Sequence, residues 1–200
     1  MKLDINIERI GNFIDKHIAG IELVEGEVPP FSSIEFSNNA LCNRRCIFCP
    51  RVDKELFPNK NEHLSFSLFK KIIDELSTID YSGRISFSGF CEPLLTKDLA
   101  RYIYYGKERC PRMTIEISTN GDYLTEGRLK KLFETGLDNI RVSLYDGPHQ
   151  DDGFNKLKEE FGLNDKQFII RRRYLAAEES YGLTISNRAG AITLKNESLQ

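Results

Sequence analysis

From Ser32 onward, short apolar or alternating runs take turns with longer stretches in which apolar residues recur every three or four positions. The first pattern predicts strands and the second amphipathic helices. Ser32 to Ser37 (SSIEFS) predicts a strand. Ser65 to Ile79 places Phe66, Phe69, Ile72, Ile73 and Leu76 on one helical stripe, with Ser65 or Ser67 available as its cap. Arg84 to Phe90 (RISFSGF) predicts the second strand, and Lys97 to Arg109 the second helix, stopped by Pro111. Met113 to Thr119 and Thr125 to Thr135 repeat the pair, with Gly136 where a helix C-terminal cap belongs. Asn139 to Tyr145 and Gln167 to Tyr174 predict two more strands, with a short helix near Gly153 to Phe161 between them. Residues 1–31, broken by Pro29 and Pro30, read as a helical or irregular prelude, and residues 32–180 as the core. In residues 181–200, Gly182 to Ser186 and Ala191 to Leu194 resemble a small β-hairpin.

Strands that alternate with crossover helices predict right-handed βαβ units, a parallel sheet and an α/β class. Doubly wound sheets and TIM-type barrels share the pattern, and both gather their chemistry at the C-terminal ends of the strands.

Composition narrows the function classes. The chain has 200 residues and a formal net charge of −2, so no global positive field advertises nucleic acid or an anionic membrane. The longest apolar runs fall short of a bilayer span, and Asp4 and Glu8 stand where a signal peptide needs an apolar stretch, so a cytoplasmic protein is expected. Five cysteines are too few and too clumped for a disulfide scaffold. Metal or redox chemistry is the better explanation.

Three of them, Cys42, Cys46 and Cys49, stand in C-x3-C-x2-C spacing (CNRRCIFC) in a loop after the first strand. Soft thiolates this close in sequence can converge on one metal centre. A zinc site closed by His63 is one alternative. An electron-carrying iron–sulfur site with Cys91 or Cys110 as fourth ligand is another. A cluster held by three cysteines alone would leave one iron open to an exogenous ligand, which catalysis requires.

With aromatic Phe48 before its last cysteine, the triplet resembles the signature of the radical S-adenosylmethionine (radical SAM) superfamily. The resemblance implies a partial (β/α) TIM-like barrel in which Cys42, Cys46 and Cys49 hold a [4Fe-4S] cluster, with Phe48 near the adenine of S-adenosylmethionine. Further segments fit in order. Ser88-Gly89-Phe90-Cys91-Glu92-Pro93 is similar to the glycine-rich G-x-G-E-P segment, implying that Gly89 lets backbone approach the methionine amino group and that Glu92 either holds the loop or meets that group, although Cys91 replaces the usual glycine. Ser118-Thr119-Asn120-Gly121 resembles the ribose-contacting segment and nominates Ser118 and Asn120. Ser143-Leu144-Tyr145-Asp146-Gly147 resembles the segment whose serine helps bind ribose or the methionine carboxylate. Strand alternation puts Arg171 and Arg173 on one face, where either can meet a carboxylate, and Arg172 on the other. Asn187-Arg188-Ala189-Gly190 is similar to a segment of SPASM-type members, and no cysteine follows Cys110 to serve an auxiliary cluster, so a SPASM-type relative without that extension is expected. The implied activity is reductive cleavage of S-adenosylmethionine to a 5′-deoxyadenosyl radical that takes hydrogen from a peptide or a small molecule. A reductant such as flavodoxin or ferredoxin is implied as partner, with neither membrane nor nucleic acid. Cys110 is expected to be structural.

Overall fold

A computed structural model describes residues 31–46 and 49–174. The prelude, the C-terminal hairpin and Phe48 fall outside the described residues. Five strands, β1 (Ser33–Phe36), β2 (Arg84–Phe87), β3 (Thr114–Thr119), β4 (Asn139–Leu144) and β5 (Phe168–Arg172), form one parallel sheet in sequence order. Four helices connect them: α1 (Phe66–Thr78), α2 (Leu99–Arg109), α3 (Glu126–Glu134) and α4 (His149–Glu160). No described helix is long and apolar enough to cross a membrane.

The two faces of the sheet have opposite chemistry. Phe36, Ile85, Phe87, Ile115, Ile117, Ile140, Val142, Leu144 and Phe168 face the helices and form one core cluster with Phe69 and Ile73 of α1, Ile103 of α2, Leu129 and Leu132 of α3, and Leu157 of α4. The residues between them in sequence point the other way and line a cavity. Strands of a sheet covered on both faces normally read as continuous apolar runs. Here only one face is apolar.

Local chemistry fixes the ends of the elements. The Ser65 hydroxyl accepts a hydrogen bond from Leu68 N at 3.2 Å, and the Thr125 hydroxyl accepts one from Arg128 N at 3.3 Å, so each satisfies an orphan donor at a helix start. Gly136 ends α3 at φ 100°, where an added Cβ would stand 2.7 Å from Lys107 Cγ. Helix α4 begins at His149, four residues ahead of the expected Gly153. Asp151 and Asp152 in its first turn favour the positive end of the helix dipole, and a Cβ at Gly153 would meet nothing within 4 Å. Strand β2 stops at Phe87 rather than Phe90, because the chain turns through Gly89 at φ 94°.

Phe69 is fully buried and meets the rings of Phe36, Phe87 and Tyr102 at centroid distances of 5.3, 5.8 and 4.9 Å. Phe69→Ala should therefore lower stability by about 3–5 kcal/mol, read as a fall in the urea midpoint with an unchanged slope. A loss below about 1 kcal/mol would show that α1 does not depend on this contact.

Candidate active site

The polar face of the sheet lines a cavity of about 400 Å3. Each strand contributes alternate residues: Ser33 and Glu35 from β1, Arg84 and Ser86 from β2, Glu116 and Ser118 from β3, Arg141 and Ser143 from β4, and Arg171 from β5. Cys42, Cys46 and Cys49 lie at the same cavity, together with Gly89, Cys91, Glu92, Asn120, Tyr145 and Arg173. The geometry thus brings every described residue that the family resemblance nominates to one place. A broader groove between α3 and α4, lined by Leu124, His149 and Phe154 among others, contains none of them.

The three cysteines are free and half-buried. Burial, followed by the neighbouring Cys42 and Cys49, pushes the Cys46 thiol up to about 11, and burial also raises Cys42. Three soft thiolates at one cavity would suit an iron–sulfur centre. Among the described residues, no three His, Cys, Asp or Glu side chains converge tightly enough for a single metal ion. His63 is exposed, bonds to Asn61 Oδ1 at 3.1 Å and is not among the cavity-lining residues, so the described geometry offers no closed zinc site. Cys110 is buried on the helix side of the sheet, with its Sγ 3.8 Å from Ile73 O, and so is remote from any shared cluster. Cys91 does line the cavity. Its Sγ lies 3.2 Å from Ser88 O and 3.5 Å from Asn38 Oδ1, and burial pushes its thiol up to about 11.

The turns at the strand ends are bound to one another by side chains. Glu92 is 2% exposed, and burial raises its pKa. Its Oε1 accepts from Thr119 Oγ1 at 2.6 Å and Leu94 N at 3.0 Å, and its Oε2 from Asn120 N at 2.8 Å. The carboxylate therefore already serves to tie the turn after β2 to the end of β3. Gly89 holds φ 94°, a conformation in which a side chain would be strained, and an added Cβ would stand 2.5 Å from Ser37 Oγ. Asn59 grips the backbone of Cys42 on both sides, accepting from its N–H at 3.0 Å and donating to its carbonyl at 2.9 Å. Arg51 donates to Asn59 Oδ1 at 2.8 Å and to the Phe90 carbonyl.

Sequence reasoning passed over Arg44. From the cysteine loop its guanidinium makes two bonds to Asp122 at 2.6 Å and two to Asp146 at 2.6 and 2.7 Å, so it clamps the loops after β3 and β4. These partners are 78 and 102 residues away, a pairing that no local pattern announces. Asn43 joins the clamp through Asp122 Oδ2 and Asn120 Nδ2, at 2.6 and 2.8 Å. The clamp holds Asp146 below the usual carboxylate range. The arginine strand divides as its parity requires: Arg171 and Arg173 face the cavity, whereas Arg172 Nε lies 2.7 Å from Asp151 Oδ1 on α4.

Comparison with known proteins gives this arrangement a context. The chain is 35% identical over 163 residues to the S-adenosyl-L-methionine-dependent 2-deoxy-scyllo-inosamine dehydrogenase of Niallia circulans, covering 81% of this chain and 61% of that protein. It is 36% identical over 121 residues to the Fe-coproporphyrin III synthase of Methanosarcina barkeri, covering 60% and 29% of the two chains. The crystal structure of BtrN in complex with AdoMet and 2-DOIA superposes with a TM-score of 0.66 at 32% identity, over 81% of this chain and 62% of that one. The chain thus spans about three-fifths of the length of the dehydrogenase and of the BtrN chain, and under a third of the synthase. Its sheet and helices correspond to a partial barrel of the same α/β class, and members of the superfamily use a [4Fe-4S] cluster and S-adenosylmethionine. The radical SAM superfamily model matches residues 40–171, well over half of the sequence and all of the cavity residues named above except Ser33, Glu35 and Arg173, so the chain belongs to the radical SAM superfamily.

Proposed function

We propose that the chain is the core of a radical SAM enzyme that removes a hydrogen atom from a small polar molecule held against the inner face of its sheet. The observation that carries this proposal is the convergence of three free cysteines with a wholly hydrophilic strand face on one cavity. Cys42, Cys46 and Cys49 would hold the cluster. When bound and reduced, the cluster supplies the electron that splits S-adenosylmethionine into methionine and a 5′-deoxyadenosyl radical, which then takes a hydrogen atom from a substrate C–H bond.

The chain's own residues bind and orient. Ser143 and Arg171 are register partners on β4 and β5, which places a hydroxyl and a guanidinium side by side for a carboxylate. Arg173 stands one inward step further along. Ser118 and Asn120, on the inward side of β3 and its end, suit the vicinal hydroxyls of a ribose. Gly89 lets backbone approach a ligand ammonium, and Glu92 acts on the cofactor by holding that turn against β3. Phe48 would cover the adenine. The small-molecule names of the relatives favour a small substrate over a peptide. A reductant such as flavodoxin or ferredoxin, cytoplasmic residence and a SPASM-type kinship through Asn187 to Gly190 belong to the same proposal.

After anaerobic reconstitution, the reduced protein should show an iron–sulfur electron paramagnetic resonance signal that changes when S-adenosylmethionine is added. Cys46→Ala should lose both the iron and the formation of 5′-deoxyadenosine. A signal indifferent to S-adenosylmethionine, or full iron content with turnover in Cys46→Ala, contradicts the proposal.

Anaerobic calorimetry tests the arginine strand. Arg171→Met should weaken S-adenosylmethionine binding by about 2–5 kcal/mol, as for loss of a desolvated charge pair, and Arg173→Met should act in the same direction. Arg172→Met, on the helix side, should leave the affinity unchanged. Equal affinity in all three variants removes these arginines from the pocket assignment.

A further inference from the structure

Deeper along the inner face lies a group of charges that the proposed cofactor contacts do not use. Glu116 on β3 is 2% exposed and sits diagonally between Arg84 on β2 and Arg141 on β4. Its Oε2 is 2.8 Å from Arg141 NH2 and 3.4 Å from Arg84 NH1. Arg84 has a further anchor, donating to Ser33 Oγ from Nε and NH2 at 3.2 and 3.1 Å. Arg141 is less well supplied: its buried Nε has no hydrogen-bond partner among the described residues.

Two guanidinium charges against one carboxylate leave a surplus of one positive charge on this floor. The other carboxylates of the wall have their own partners: Glu35 on β1 accepts from Ser88 Oγ at 2.7 Å, and Glu92 accepts from Thr119 Oγ1, Leu94 N and Asn120 N. Burial acts against the charged form of Arg141 and lowers its pKa despite Glu116. A buried guanidinium with an idle donor is costly unless something else accepts from it. Both arginine side chains keep an opening to the cavity, with 29% and 22% of their surface exposed. Arg141 is the register partner of Ser118, next to the row that holds Ser143 and Arg171, so a molecule on this floor would lie against the cofactor tier.

We propose that Arg84 and Arg141, oriented by Glu116, form an anion-binding floor that anchors a carboxylate or phosphate group of the substrate. The assignment of this anion to the molecule that gives up hydrogen rests on the proposed function, whereas the anion site itself does not. Anchoring a remote charged group is an effective way to fix a reacting carbon, because binding energy is then spent on position. The planar guanidinium fork suits both anions.

Calorimetry on the anaerobically reconstituted full chain, saturated with S-adenosylmethionine, decides the matter with malonate and inorganic phosphate as probes and glycerol as the neutral control. At least one anion should bind and glycerol should not, and the preferred anion distinguishes a carboxylate from a phosphate substrate. Arg141→Met should weaken that binding about tenfold or more, Arg141→Lys less, and Arg172→Met not at all. Glu116→Gln should tighten it several-fold, because the surplus rises from one charge to two. A merely structural ion trio predicts no such gain. Iron content and S-adenosylmethionine affinity are measured in each variant. Should Arg141→Met fail to fold, Arg141→Lys and Glu116→Gln decide. Absence of binding by both anions, equal binding in the Arg141 variants, or no gain in Glu116→Gln overturns the floor. Anion binding with these responses in a protein that holds neither cluster nor S-adenosylmethionine overturns the proposed function and leaves the floor standing.

Discussion

Each strand of this sheet has to satisfy two unlike neighbours, and the rest of the molecule follows from that constraint. One face meets four helices, where Ile85, Ile117, Ile140 and Leu144 are removed entirely from water. The other carries serines, carboxylates and guanidiniums that can be buried only if they find partners. Apolar area supplies the driving force on the first side. Hydrogen-bonding and charge pairing set the shape of the second.

Much of the pairing on the polar side crosses between elements, which turns separate loops into one surface. Glu92 ties the turn after β2 to the end of β3, Arg44 ties the cysteine loop to the turns after β3 and β4, and Glu116 ties β2 to β4 across β3. The Arg44 bonds are bidentate and partly shielded from solvent, with 18% of its side chain exposed, so they are stronger than ordinary surface pairs. Together these contacts pre-form the wall against which a cofactor would lie, and binding then loses less in ordering it.

The fold was legible in the sequence because period-2 and period-3.6 patterns alternate cleanly and each element's apolar set is complete, as in Phe66 to Leu76. The cysteines and the strand-end segments were legible because their chemistry is local. The start of α4 was missed because Gly153 looked like a boundary, although the acidic first turn just before it already favoured a helix. Cys91, which stands where the resembling segment has glycine, lines the cavity, since the turn through Gly89 sends it inward. Arg44 and the Arg84–Glu116–Arg141 group were missed for different reasons. The first depends wholly on tertiary partners. The second had a visible signal: Arg84-x-Ser86-x-Ser88, Glu116-x-Ser118-x-Asn120 and Arg141-x-Ser143-x-Tyr145 repeat polar residues at every second position of strands that the fold class covers on both faces.

The central claim is that this polar face receives S-adenosylmethionine. A crystal structure of the anaerobically reconstituted protein grown with S-adenosylmethionine tests it most directly. The methionine carboxylate should lie at Ser143 and Arg171, and the ribose hydroxyls at Ser118 and Asn120, with Arg141 facing the space beneath. S-adenosylmethionine bound in the α3–α4 groove, or bound without contact to the inward residues of β3 and β4, would contradict the account.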